Sequence, residues 1–134
     1  MTGRSAQLVI FENTYGATDA VHGFSAATPF LLPACGKLDF HTYHTAPLVG
    51  GAWRLLGETA KWMPVSAARV QAIDHSGTNT LTVEIRGVPA EVVTLQLLAE
   101  ASGRIHTQTC TLPESGRVAV VADITAGTSC QTLE

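Results

Sequence analysis

Leu81-Thr-Val-Glu-Ile-Arg86 decides the fold class. Apolar Leu81, Val83 and Ile85 alternate with polar Thr82, Glu84 and Arg86, the period of two that sends successive side chains to opposite faces of a strand. One face therefore meets a core and the other meets water. Upstream lies Asp74-His-Ser-Gly-Thr-Asn79, a concentration of turn formers, and downstream Gly87-Val-Pro-Ala90 interrupts the pattern. Working outward, Ala68 to Ile73 also alternates, with Ala68, Val70 and Ala72 on one side and Arg69, Gln71 and Ile73 on the other. Val92 to Leu98, Arg104 to Thr111 and Arg117 to Ala122 read as further strands, parted by Ser102-Gly103 and Pro113-Glu-Ser-Gly116. Short strands with a turn roughly every 8–12 residues are the pattern of a sandwich or barrel. The expected fold is all-β: a single antiparallel β-sandwich of about seven to nine strands, with a small β-barrel as the alternative. Ser66 would serve as a helix N-cap, but Val70-Gln-Ala-Ile73 continues better as strand.

The N-terminal part is less regular. Gln7-Leu-Val-Ile-Phe11 is a β-type run. From residue 12 to residue 37, Gly16, Gly23, Pro29, Pro33 and Gly36 read as one long irregular connection with room for one or two short strands, Phe30-Leu-Leu32 the most strand-like piece. Leu38 to Thr45 alternates loosely and is rich in aromatic and β-branched residues. As a strand it would place Asp39, His41 and Tyr43 on one face and Leu38, Phe40, Thr42 and His44 on the other. Ala52 to Leu56 adds a further short strand.

At 134 residues the chain suits one domain spanning 1–134. Charged residues make up only 14% and hydrophobic ones 46%, which argues against disorder and for an apolar patch that rests on something else. A net charge of −3, with eight Lys and Arg scattered singly, speaks against nucleic acid as a partner. No apolar run approaches the roughly 20 residues that cross a bilayer, and Met1-Thr-Gly-Arg-Ser5 lacks the apolar core of a signal peptide. Cys35, Cys110 and Cys130 form no CxxC pair. They read first as buried free thiols, with a Cys110–Cys130 disulfide joining the last strands as the alternative.

Polar aromatic residues gather in the middle of the chain: Phe40-His-Thr-Tyr-His-Thr-Ala-Pro47, Trp53-Arg-Leu-Leu-Gly-Glu58 and Lys61-Trp-Met-Pro-Val-Ser66. Sugar rings offer patches of C–H that pack on indole and phenol faces while neighbouring polar groups bond the hydroxyls. A groove lined by Trp53, Trp62 and Tyr43, with Asp39, His41 and Arg54 at its rim, would serve as such a site. The competing demand is the core, which in a chain with 6% aromatics claims large rings, Trp53 above all, with Met63 as apolar filler.

Phe40, Tyr43 and Pro47, then Leu56-Gly57-Glu58 and Pro64-Val65, followed by a run of strands, resemble the C-terminal all-β domain of raffinose-synthase-type glycosidases, relatives of the α-galactosidases. The resemblance spans roughly residues 20 to 125, with Ser66-Ala-Ala-Arg69 standing where that family has a glycine- and asparagine-rich stretch. It implies a β-sandwich companion to an enzyme. The family's catalytic carboxylates belong to a separate (β/α)₈ barrel, so none carries over to this chain.

No catalytic set, metal set or cofactor fingerprint is readable. His41 and His44 would lie on opposite faces of a strand; only in a tight turn would they converge, with His22, on a zinc or iron ion. Asp74-His75-Ser76 has the residue types of a hydrolase triad, but adjacent residues do not reach that geometry. Glu58 with Asp39 is a candidate glycosidase pair whose spacing in sequence says nothing of its spacing in space. The expected function is a non-catalytic accessory or carbohydrate-binding domain, its partner a glycan. The alternatives are a structural, protein-interaction or self-association domain, or a small enzyme or metal protein with a histidine-containing pocket.

Overall fold

The computed structural model describes residues 8–14, 17–18, 21–75, 77 and 79–134, and for residues 8–14 and 17–18 the backbone alone. Eleven strands run through these residues: β1 (Leu8–Thr14), β2 (Ala17–Thr18), β3 (His22–Phe24), β4 (Tyr43–Ala46), β5 (Trp53–Gly57), β6 (Val70–Asp74), β7 (Thr80–Arg86), β8 (Val92–Ala99), β9 (Arg104–Thr111), β10 (Arg117–Asp123) and β11 (Gly127–Thr132). None of the described residues is helical.

The expected antiparallel sandwich is present. One sheet has the order β11-β10-β7-β6 and the other β5-β8-β9. Both keep open edges among the described residues, so no closed barrel forms. Register follows from the alternation. Leu81, Val83 and Ile85 of β7 stand opposite Ala122, Val120 and Val118 of β10, so every inward residue meets an inward residue. A slip of one position would turn both sets to solvent. The opposing layer supplies Val93, Leu95 and Leu97 from β8, Leu55 from β5 and Leu112 just after β9. Each fully buried aliphatic side chain contributes about 1.5–3 kcal/mol.

The sheet β5-β8-β9 is covered on its second face as well. Leu56 and Leu98 point away from the main core and pack with Ala46 of β4, against half-buried Val21 and Ile105. β4 belongs to a third sheet, in which β1 pairs with β2, β3 and β4. This N-terminal sheet explains why all five residues of β5 are buried.

The connection read over 12–37 holds the end of β1 and the short strands β2 and β3, and the strand-free stretch runs from 25 to 42. Two expectations are corrected. The strand expected over 38–45 shrinks to Tyr43–Ala46, since a turn closed by Asp39 N–H donating to the Gly36 carbonyl (3.2 Å) precedes it. Asp39, His41 and Tyr43 therefore share no strand face. Lastly, Cys110 and Cys130 are not free thiols: they form a disulfide. β9 and β11 are edge strands of different sheets lying side by side, so the bridge staples the sandwich along one open side. Cys35 is free, but exposed rather than buried.

Candidate functional site

The loop from Glu58 to Arg69, between β5 and β6, builds the site. It opens at Gly57, whose φ of +87° suits glycine, and a Cβ there would lie 2.2 Å from the Pro64 carbonyl oxygen. That closeness lets the Glu58 N–H donate to the Pro64 carbonyl (2.8 Å), while the Lys61 N–H donates to the Glu58 carbonyl (2.9 Å). The loop is pinched at its base, and its tip carries Trp62 and Met63 outward, 58% and 65% exposed. Met63 is thus a surface residue and no core filler. Phe40, from the strand-free stretch, stacks on Trp62 with centroids 5.6 Å apart and planes 18° off parallel.

Below this aromatic lip lies a groove of about 540 Å³. Its walls include Glu58, Lys61, Arg69, Arg86 and Glu91. Arg69 is the hub. Its Nε donates to Glu58 Oε2 (3.1 Å), and its terminal nitrogens hold both oxygens of Glu91 and donate to the Arg86 carbonyl (2.9 Å). Lys61 Nζ lies 2.9 Å from the other oxygen of Glu58. Gly87 makes room for the cluster, since a Cβ there would come within 2.3 Å of Arg69 and Glu91 atoms alike. Ala90 adopts a φ of +67° next to Glu91, a left-handed conformation unfavourable for a non-glycine residue, so the wall carrying Glu91 is held under backbone strain.

The Arg69 hydrogen bonds, joined by one from the Val88 N–H, bring the Glu91 carboxyl down from 4.5 to about 2, with desolvation opposing them. Arg69 is raised in turn, chiefly by the same pair. The sign follows: the native state holds this carboxylate ionised to lower pH than the unfolded chain does. Its stabilisation is complete above pH 4.5 and drains away as pH falls toward 2. Glu91→Gln is expected to lower stability at neutral pH by about 1–2 kcal/mol, a figure reduced because the carboxylate is partly exposed. In urea titrations at a series of pH values, the gap between variant and wild type narrows through that window. A gap constant with pH would show that the ion pair contributes nothing.

The residues expected at the site divide. Trp62 stands at the lip. Trp53 does not: it is 1% exposed, its indole N–H donates to the Asn79 carbonyl (3.0 Å), and its ring meets His106 edge-on. It fills the core, as the inward position on β5 dictates, and offers no face to a sugar. Arg54 is likewise 1% exposed, because the N-terminal sheet covers the outer face of β5. Its guanidinium holds Glu100 (2.6 and 3.1 Å) and the Ala46 carbonyl (3.0 Å). Asp39 and His41 are exposed beside the turn at Gly36. Tyr43 is half-buried against Phe30 and lines a neighbouring hollow of about 310 Å³ with His44 and Met63. Burial holds His44 below the usual histidine range. Among the described residues no three of His, Cys, Asp and Glu are grouped to hold a metal ion. Ser76, of the Asp74-His-Ser sequence, lies outside the described residues.

Sequence reasoning missed Phe40 as the stacking partner of Trp62, and missed Arg69, Arg86 and Glu91 as groove walls. A faint signal existed for two of them: Arg69 falls on the polar side of the alternation over 68–73, and Arg86 on the polar side of β7. Comparison of the chain with protein-family models, with curated proteins and with solved structures returns no match.

Proposed function

We propose that this protein is a non-catalytic carbohydrate-binding accessory domain whose site is the Phe40–Trp62 lip and the polar groove beneath it. The observation that carries this reading is the stacked, exposed aromatic pair set directly over charged hydrogen-bonding groups. A pyranose C–H face packs on the indole, and its hydroxyls reach Lys61 on the groove wall. The resemblance to the β-domain of raffinose-synthase-type glycosidases favours the same reading, a companion to an enzyme.

What supports a non-catalytic role is the state of the two groove carboxylates. Hydrolysis of a glycoside needs one carboxyl protonated to act as an acid. Glu91 is instead held down to about 2, and Glu58 is paired with both Lys61 and Arg69.

The test is a binding screen of the protein against a broad glycan panel, with Trp62→Ala alongside. Because Trp62 is exposed, the variant is expected to keep the thermal midpoint of the wild type while losing affinity by about tenfold or more. Silence across the panel, or a hit indifferent to Trp62→Ala, removes this reading. The second reading, a protein-interaction or self-association domain, is favoured by Leu31, Leu32 and Leu38, which are 85%, 64% and 98% exposed on the strand-free stretch. Glycan silence combined with concentration-dependent sedimentation would favour it.

A further inference from the structure

We infer that the groove takes a glycan whose sugar ring carries a carboxylate, a uronic acid, and that Arg86 is the residue that binds the anion. The inference rests on the reading of this groove as a glycan site and names the class of sugar. Three cationic residues, Lys61, Arg69 and Arg86, line the groove with two acidic ones, Glu58 and Glu91. Both carboxylates are already engaged. Glu58 divides its oxygens between Lys61 and Arg69, and Glu91 gives both of its oxygens to Arg69. Among the described residues no carboxylate forms an ion pair with the Arg86 guanidinium.

A second observation concerns the strand beside Arg86. Arg86 stands directly opposite Arg117 in the β7–β10 register. Like charges facing each other across strands repel. Arg117 is relieved by Glu84, whereas the Arg86 end of the pair is left for an anion from outside. A planar guanidinium suits a carboxylate in particular, since it donates two parallel hydrogen bonds to it. With Trp62 on the same groove, one ring can stack while its carboxylate meets Arg86. The net charge of −3 over the whole chain works against densely sulfated polymers more than against an acid with one charge per ring.

The test is calorimetric titration of the protein with oligogalacturonate, alginate and hyaluronan oligomers, each beside its methyl-esterified form, which keeps the ring and loses the charge. The expected result is at least about tenfold tighter binding of an acid form than of its ester. That preference should disappear in Arg86→Gln, while the weaker binding of the ester survives. Arg86 is exposed at the end of β7, so the variant is expected to fold, which an unchanged thermal midpoint verifies. A preference that persists in Arg86→Gln overturns the assignment of the anion to Arg86; equal affinity for acid and ester, or tighter binding of a sulfated glycan, overturns the uronate assignment alone. Binding of neutral glycans only does the same. Silence toward every acidic and neutral glycan overturns the glycan site along with it.

Discussion

Arg54→Ala is expected to destabilise the protein by about 3 kcal/mol, at the lower end of what breaking a buried ion pair costs. The guanidinium sits almost wholly out of water and joins three things: β5, Glu100 just after β8, and the Ala46 carbonyl of β4. Removing it strands the Ala46 carbonyl and leaves the carboxylate of Glu100 without its partner at a site only a third exposed. That partial exposure keeps the figure at 3 rather than 5. The loss should fall unevenly. Leu56, Leu98 and Ala46 pack around this pair, away from the main core, so β4 and the sheet it belongs to are expected to open first. Limited proteolysis in the segment before Trp53, at denaturant concentrations that leave the sandwich intact, measures this. Arg54→Met combined with Glu100→Met should recover part of the loss, because an apolar pair leaves no charge behind. A variant as stable as the wild type would show that the N-terminal sheet is held by its backbone pairing and apolar contacts alone.

Loss of the disulfide is the second large effect. The bridge closes a segment of 20 residues between edge strands of the two sheets, and the chain-entropy estimate for such a loop is about 3 kcal/mol. Cys130→Ser is the cleaner variant, because Cys130 is exposed while Cys110 is buried. The variant should lose that stability, and a thiol reductant should reduce the wild type to the same level while leaving the variant unchanged. β11 carries mostly exposed side chains and pairs along one side only, with β10, so its amides should exchange fastest once the staple is gone. Wild-type stability indifferent to reductant would mean that β10 and the Thr128–Gln108 hydrogen bond (2.8 Å) suffice to hold the edge.

The pattern of these expectations follows what the sequence does and does not encode locally. β7 was legible because a strand with one wet face writes a period of two into its own residues. β11 was not: Thr128-Ser-Cys-Gln131 is polar on both sides, and it is a strand only because β10 offers its edge. The expected strand over 38–45 had the right composition, yet the turn at Gly36–Asp39 uses the backbone that pairing would need. For the site, Trp62 and Trp53 look alike in sequence. What separates them is the pinch at Gly57, which ends β5 after one tryptophan and projects the other into solvent. Arg69 finds its carboxylates 11 and 22 residues away, distances at which no local pattern operates. Arg54 is covered by β4 of the N-terminal sheet and finds its carboxylate, Glu100, 46 residues away. The same holds for Cys110 and Cys130, whose pairing depends on two sheets meeting edge to edge.

The pinched base of the loop has an evolutionary consequence. Because the neck at Gly57 and Pro64 is closed by backbone, residues 60–63 form a cassette whose ends meet whatever its tip contains. Exchange of Lys61, Trp62 and Met63 alters which shapes and charges the lip accepts, without disturbing strand order or register. A scaffold of this kind diversifies its specificity by rewriting a few exposed letters, and selection for a new ligand need not be selection against folding.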